Sequence, residues 1–223
     1  MLESSAKSIG LVSVLSVSGT MPVNGYQDTG IRKRSSDMKT LGLDLSLTSS
    51  GFCLLDGSSI TIETIKTTPK TADNDLARLA HIRIAIMERI PSDVDMICVE
   101  DFFAPFGPAA GSAIGLAMLG AVIRVALWEA TMPFYVVSPS QLKKWVLGKG
   151  VGEKSLVLRE VYRKLGVSAT NDNEADACVL AHIAKDLLTG VKEEWAAYRK
   201  DVIEKIAKER PHYNTQRKDT GDA

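Results

Sequence analysis

The sequence predicts an α/β fold in which a mixed five-stranded sheet, three antiparallel strands followed by two parallel ones, is flanked by helices. Leucine alternates with small or polar residues over residues 40–47, which is the period of a strand. Two short apolar runs, at 96–100 and 134–137, have the length of buried strands, and the segments beside them carry helical spacing. The chain has 223 residues, 45% of them hydrophobic and 24% charged, which is enough for one domain with extensions or for two small domains.

The first three strands are predicted to form an antiparallel meander. The strand over residues 40–47 leads through a Ser/Thr-rich turn into a second strand at 52–55. Asp56-Gly57 is a hairpin signal, and the isoleucines that follow it predict a third strand.

Helices are predicted between and after the remaining strands. The segment 75–90 has helical spacing and is ended by Pro91, and a helix rich in Gly and Ala covers about 110–130. The apolar part of that helix stops at Arg124, which makes it too short for a membrane span. Four further helices are predicted, the last of them charged and therefore solvated, over residues 138–146, 153–165, 171–188 and 191–209.

This order of elements is typical of the RNase H-like fold, although other α/β folds share parts of it. We expect residues 38–190 to form the domain, because Met38-Lys39-Thr40 directly precedes the first strand. Residues 1–37 are predicted to be a poorly ordered extension or the product of an upstream start codon. Residues 191–210 are expected to form a charged helix and residues 211–223 a disordered tail.

Charge and cysteine content limit the possible functions. The 27 basic and 27 acidic residues give a formal net charge of zero, so nucleic-acid binding would require a local basic face. Three widely separated cysteines in apolar runs argue against a disulfide framework or a zinc site. We therefore expect a reducing compartment, the cytoplasm.

Two carboxylates are predicted at strand positions where a ligand could bind. Asp44 projects from the first strand, and its small or polar neighbours leave room. Glu100 ends the strand at 96–100, and ligands bind at such strand ends in parallel-type sheets. Each also has a structural interpretation, since Asp44 could stabilise a turn and Glu100 could be a solvated strand end.

Further polar residues lie at the start of the helix predicted over 171–188. Asn171 with Glu174 three residues later resembles a capping box, which would fix the helix start. Asp172 and Asn173 each share a helix face with Asp176. Asp172 could simply favour the helix dipole, whereas Asp176 begins an apolar stretch in which an unpaired carboxylate would be costly.

Oxygen ligands without His or Cys favour hard cations such as Mg²⁺ or Mn²⁺. Two such ions can activate a water molecule and stabilise the leaving oxyanion in phosphodiester cleavage. This chemistry requires carboxylates that converge from distant parts of the chain.

Three segments together resemble the RuvC family of Holliday-junction resolvases, and the first looks most like bacteriophage members. They are LGLDLS at 41–46, ICVEDFF at 97–103 and NEADA at 173–177. The resemblance covers about residues 40–188. It implies a dimeric endonuclease that depends on Mg²⁺, with Mn²⁺ as a substitute, and makes paired nicks in four-way DNA junctions by two-metal-ion hydrolysis.

The resemblance also implies metal ligands. Asp44, Glu100 and Asp176 match three of the family's four acidic ligands. The fourth lies three residues before the last Asp, where some members use His and this chain has Asn173. The adjacent Asp172 has the charge that Asn173 lacks, so both stay open as the fourth ligand, with Asn173 in the matching register.

A basic segment and an aromatic loop are predicted to face DNA. Residues 138–165 contain seven basic and two acidic residues, a net charge of +5 that suits phosphate binding, although a solvated surface could carry it too. The glycine loop in this segment lacks Walker A spacing, so no nucleotide cofactor is expected. The candidate DNA-binding lysines, of which the first and last match family positions, are Lys143, Lys144, Lys149 and Lys154.

Phe103 matches the family position that wedges into the centre of the junction. Aromatic side chains beside the metals could stack on unpaired bases. The alternative is that one or more of the phenylalanines in this loop pack beneath it.

Three rival functions remain open. A broader branched-DNA nuclease could use the same active site. An actin-like or sugar-kinase ATPase also opens with an Asp on its first strand, but 223 residues leave little room for the second domain it needs. A catalytically inactive DNA-binding protein is the third, if Asn173 disables the site.

Overall fold

The computed structural model describes residues 37–67, 75–102, 110–191, 196–209 and 211–212, all of which belong to one compact unit. The predicted extension at 1–37 therefore lies outside the description, except for Asp37. Within the described ranges, none of the helices has the length and apolar character that crossing a membrane requires.

A mixed five-stranded sheet forms the centre of the fold, in the spatial order β3-β2-β1-β4-β5. The first three strands pair antiparallel, and β4 and β5 continue the sheet parallel to β1, as predicted. The strands are β1 (Lys39–Asp44), β2 (Ser49–Asp56), β3 (Ser59–Lys66), β4 (Met96–Glu100) and β5 (Phe134–Val137).

The helices observed in the described ranges agree with the predicted ones to within a few residues at most ends. Ser138 and Gln141 form a capping box at the start of α3, and Gly148 ends that helix in the left-handed region with φ 83°. The helices are α1 (Asp75–Met87), α2 (Ala110–Glu129), α3 (Pro139–Leu147), α4 (Lys154–Leu165), α5 (Asp172–Thr189) and α6 (Ala197–Lys208).

The sheet has an apolar core on each face, because successive strand residues point to opposite sides. Leu43 and Val99 lie in the core that includes α1 and α2. Cys53 and Cys98 lie in the opposite core with α3, α4, α5 and α6. Burial on both faces explains why β4 reads as a nearly continuous apolar run. In β1 the leucines alternate with Thr40 and Gly42, which lie against α5.

Helix α5 crosses β1 and β2 at very short range. A Cβ atom at Gly42 would lie 1.9 Å from the carbonyl oxygen of Ala177, and one at Gly51 would lie 2.0 Å from that of Asn173. The Oγ1 atom of Thr40 donates a hydrogen bond to the carbonyl of Ala181 (3.0 Å). These contacts bring the first turns of α5 over the end of β1.

Helix α6 is not the fully solvated helix that its charged composition predicts. Val202, Ile203 and Ile206 are buried, and the guanidinium of Arg199 lies 3.9 Å from the ring centroid of Trp145. Arg199 Nε also donates to the carbonyl of Trp145 (3.2 Å). The prediction is wrong for this face because the charges alternate with apolar residues at helical spacing.

The tail predicted to be disordered makes a defined contact at its start. The backbone of His212 exchanges two hydrogen bonds with that of Phe134 (2.8 and 3.1 Å), and the two rings stack with centroids 5.1 Å apart. The expectation of disorder is therefore wrong at His212, and residues 213–223 lie outside the described residues.

Candidate active site

Asp44, Glu100 and Asp176 converge at one edge of the sheet. Asp44 and Glu100 are the last residues of the neighbouring parallel strands β1 and β4, and Asp176 lies in the second turn of α5. One carboxylate oxygen from each lies within 4.8 Å of the others. We call these three residues the carboxylate cluster, which has the size to surround a divalent cation.

The strand that carries Asp44 ends earlier than predicted. Leucine alternation continues to Leu47, but the chain turns after Asp44 because Ser46 N donates to Ser50 Oγ (3.0 Å) and Ser50 Oγ donates to the carbonyl of Ser46 (2.9 Å). The turn leaves the Asp44 side chain at the strand end.

Burial raises the pKa of each carboxyl group in the cluster, and repulsion by other cluster members adds to this at Asp44 and Asp176. Asp44 is 7% exposed, and its pKa lies well above the usual range. Burial is the main cause, and the neighbouring Glu100 and Asp176 raise the pKa further. Burial is also the main cause that raises the pKa of Glu100, and it raises that of Asp176 to about 7, helped by the charge of Glu100. Positive charge at the cluster would favour the ionised form of all three.

The oxygen atoms of the cluster fit a hard divalent cation. The buried Oδ1 of Asp176 has no hydrogen-bond partner among the described residues. Leaving a buried carboxylate oxygen unpaired is costly, and metal coordination would satisfy it. A donor set made only of carboxylate oxygens suits Mg²⁺ or Mn²⁺.

Asn173 lies one helical turn before Asp176, and its side chain faces Ser49 at the start of β2. Its Nδ2 group donates to the carbonyl oxygen of Ser49 and to Ser49 Oγ, the latter at 2.9 Å. An aspartate has no proton to donate at neutral pH, so this link requires the amide. Asn173 therefore ties α5 to β2.

Asp172 lies at the edge of the cluster and forms an ion pair with Lys154 at the start of α4. Its hydrogen bond with Lys154 lowers the pKa of Asp172, whose side chain is 32% exposed. The charge of Asp172 still contributes to the raised pKa of Asp176. Its carboxylate is not among the three whose oxygens lie within 4.8 Å of one another.

Two of the four predicted lysines lie near the carboxylate cluster. Against the dominant effect of burial, the positive charges of Lys143 and Lys154 act to lower the pKa of Glu100 and of Asp176. Lys144, on the same helix as Lys143, instead pairs with Asp201 of α6.

Lys149 is exposed in the glycine loop that follows α3.

Phe103 lies outside the described residues, so its predicted role stays a prediction. The preceding Phe102 packs on α2, where Arg124 lies 5.5 Å from its ring centroid and a Cβ at Gly120 would lie 3.2 Å from the ring. Arg124 also donates to Asp101 (2.8 Å). Sequence reasoning missed this anchor, although Arg124, the one basic residue in a largely apolar helix, was its signal.

Comparisons with known proteins identify the family. A family model described as crossover junction endodeoxyribonuclease RuvC matches residues 40–184. The RuvC endodeoxyribonuclease of Rhodococcus opacus is 29% identical over 157 residues, covering 65% of this chain and 79% of the relative. That of Mycolicibacterium smegmatis is 30% identical over 154 residues, with 65% and 80% covered.

A solved structure has the same fold. Thermus thermophilus RuvC in complex with a Holliday junction substrate aligns with a TM-score of 0.54 at 22% identity, covering 69% of this chain and 96% of that one. The prediction of an RNase H-like fold is confirmed. Because the family match spans more than half of the chain and includes all three residues of the carboxylate cluster, the chain belongs to the RuvC family of crossover junction endodeoxyribonucleases.

Proposed function

We propose that this protein is a metal-dependent endonuclease that resolves four-way DNA junctions by paired phosphodiester nicks. The observation that carries the proposal is the convergence of Asp44, Glu100 and Asp176, with one buried oxygen of Asp176 lacking a partner in the described part of the chain. The family supplies the reaction class, since its curated relatives are named crossover junction endodeoxyribonucleases.

The carboxylate cluster is the proposed metal site, with Mg²⁺ as the cofactor and Mn²⁺ as a substitute. A divalent cation bound there would supply Lewis-acid chemistry for phosphodiester hydrolysis. Asp44, Glu100 and Asp176 would hold the ion, and their burial would keep competing water away. Asn173 and Asp172 remain the candidates for a fourth ligand. Because Asn173 Nδ2 is bonded to Ser49, Asn173 would bind the metal through its side-chain oxygen, Oδ1.

The lysines nearest the cluster are proposed to bring the scissile phosphate to it. A phosphate is repelled by three carboxylates, and the charges of Lys143 and Lys154 offset that repulsion at the same place. Lys149 extends the basic surface along the glycine loop. Lys144 is proposed to contribute less, because its partner Asp201 belongs to α6, whereas Lys154 pairs with Asp172 at the edge of the cluster.

Phe103 is proposed to stack on bases at the junction centre. The support is its position in the chain, three residues after Glu100 and directly after Phe102, which is anchored on α2.

We also propose that the protein acts as a homodimer in the cytoplasm. Ile114, Met118, Val125 and Trp128 form an exposed apolar stripe along α2, and such stripes mark protein interfaces. Two symmetric nicks in one junction require two active sites, which a symmetric dimer provides. The three cysteines are free and buried, as expected for a reducing compartment.

The test of this function compares a synthetic four-way junction with a linear duplex of the same sequence. We expect symmetric nicks in the junction only, with Mg²⁺ or Mn²⁺ present, and none with EDTA. Equal nicking of a flapped substrate would favour the broader branched-DNA nuclease. ATP hydrolysis without nicking would contradict the proposal.

A further inference from the structure

The start of α5 is linked to β3 by hydrogen bonds that lie outside the carboxylate cluster. Glu174, 8% exposed, accepts a hydrogen bond from Thr64 Oγ1 through Oε1 (2.6 Å). Through Oε2 it accepts from the backbone N and the Oγ1 of Thr170 (2.7 Å each). Asn171 Nδ2 also donates to Thr64 Oγ1 (2.9 Å). We call Thr64, Thr170, Asn171 and Glu174 the α5–β3 tie.

The tie is more than a helix cap. Asn171 already caps α5 by accepting a hydrogen bond from Glu174 N (3.0 Å), so the helix start does not need the Glu174 side chain to reach another strand. A buried carboxylate is costly unless its oxygens are well bonded. The hydrogen bond between Glu174 and Thr64 on the sheet therefore serves something other than helix capping.

The strand register connects the tie to the carboxylate cluster. Thr64 of β3 pairs with Gly51 of β2, and Gly51 pairs with Asp44 of β1, so the three residues form one row across the sheet. A Cβ at Gly51 would lie 2.0 Å from the Asn173 carbonyl oxygen, which shows that the first turn of α5 rests on the middle of this row. Asp44 ends the row, and Asp176 lies two residues after Glu174.

We propose that Glu174 is a positioning residue which, through Thr64, fixes Asp176 relative to Asp44 and so sets the preference of the site for Mg²⁺ over Ca²⁺. Mg²⁺ demands near-ideal octahedral geometry, whereas Ca²⁺ accepts six to eight oxygens in irregular arrangements. Ligands held rigidly by the α5–β3 tie favour Mg²⁺, and loosening the tie should lower the affinity for Mg²⁺ more than the affinity for Ca²⁺. The inference rests on the proposed function in that the cluster must bind a divalent cation.

The test measures metal binding by the full chain without DNA. Bound Mn²⁺ is followed by electron paramagnetic resonance and displaced by Mg²⁺ or by Ca²⁺. Thr64→Val removes the hydroxyl but keeps the β-branched shape, and Thr64→Ser keeps the hydroxyl. Thr61→Val, at an exposed position of the same strand, is the matched control.

The measured quantity is the Mg²⁺ concentration that displaces half of the bound Mn²⁺, divided by the corresponding Ca²⁺ concentration. We expect Thr64→Val to raise this ratio about tenfold. Thr64→Ser and Thr61→Val should stay near the wild-type ratio. Each ratio is measured at a temperature at which the melting curve shows the variant folded, so a general loss of stability does not change it. A wild-type ratio in Thr64→Val overturns the inference and leaves the function standing, whereas absence of Mn²⁺ binding by the wild type contradicts the metal site itself.

Discussion

The unpaired Oδ1 of Asp176 makes protons and metal ions competitors for one buried site. Burial, followed by the charge of Glu100, raises the pKa of Asp176 to about 7. A cation must displace that proton, so we expect Mg²⁺ affinity to increase with pH as Asp176 ionises near pH 7.

The same pKa gives a prediction for the metal-free protein. Asp176 binds a proton up to a pH of about 7 when folded and only up to about 3.8 when unfolded, so the folded state holds more protons between these values. The contribution of Asp176 to stability therefore falls as pH rises from about 4 to 7. Asp176→Asn removes this cost, and we expect its melting temperature in EDTA to exceed the wild-type value by a margin that grows from pH 5 to pH 7.

One pKa unit corresponds to about 1.4 kcal/mol, and each kcal/mol corresponds to about 2–4 °C in a chain of this size. The control is the same melting series at saturating Mg²⁺, in which the wild type should gain stability and Asp176→Asn should not. A margin that is constant from pH 5 to pH 7 would argue against a shifted Asp176.

The two candidates for the fourth ligand, Asn173 and Asp172, differ in their hydrogen-bond partners, so substitutions should affect them differently. Asn173→Asp replaces an N–H donor with a carboxylate oxygen that faces the Ser49 carbonyl, so we expect it to raise the Mg²⁺ concentration for half-maximal nicking. Asp172→Asn loses the pair with Lys154 and removes a negative charge that repels Asp176, and these changes should have a mild effect if Asp172 is not a ligand. Mg²⁺ titrations of single-turnover nicking measure both. A lower Mg²⁺ requirement in Asn173→Asp would show that added ligand charge outweighs the lost link.

At the scale of elements, α3 carries two adjacent lysines in different surroundings. Lys143 acts on the carboxylate cluster, while Lys144 is paired with Asp201 of α6. We expect Lys143→Ala to weaken junction binding and to reduce the slope of log affinity against log salt by about 0.9, the value for one lost phosphate contact. Lys144→Ala is the matched control and should leave the slope nearly unchanged. Equal slopes for the wild type and Lys143→Ala would place this lysine away from DNA.

The elements differ in how far the sequence determines them. β4 and β5 match their predicted ranges because each is a short apolar run bounded by polar or turn-forming residues. The hydrogen bond between Thr64 and Glu174 joins residues 110 positions apart, and that between Arg199 and Trp145 spans 54 positions. Local periodicity contains no information on such pairs, so neither the α5–β3 tie nor the contact of Arg199 with Trp145 could be predicted, although the helical spacing of Val202 and Ile206 does indicate an apolar face on α6.

The candidate site shows the same division. Asp44, Glu100 and Asp176 could be proposed because each has an unusual local setting: a strand end or the start of an apolar helix. The partners of Asn173 and Asp172 depend on how α5 meets β2 and α4, which is a tertiary property. The family resemblance matches Asn173 to the position of the fourth ligand, whereas the fold determines which side chains Asn173 and Asp172 contact.

At the scale of the whole molecule, the apolar stripe on α2 predicts the oligomeric state. We expect sedimentation to show a dimer for the wild type, and Val125→Glu to shift it to a monomer because the charge would be buried in the interface. Ser155→Glu, which adds the same charge at an exposed position of α4, is the control. A monomeric wild type at the concentrations used for nicking would contradict the proposed interface.

The central claim is that the carboxylate cluster is the catalytic centre for junction cleavage. The direct measurement is single-turnover nicking of a four-way junction by Asp44→Asn, Glu100→Gln and Asp176→Asn, with junction binding measured in parallel. Amides hold Mg²⁺ poorly while preserving shape, so each variant should lose nicking by more than about 100-fold and keep its binding. Glu88→Gln, which makes the same kind of change at an exposed position just after α1, should nick normally. Wild-type nicking in two of the three cluster variants would contradict the account.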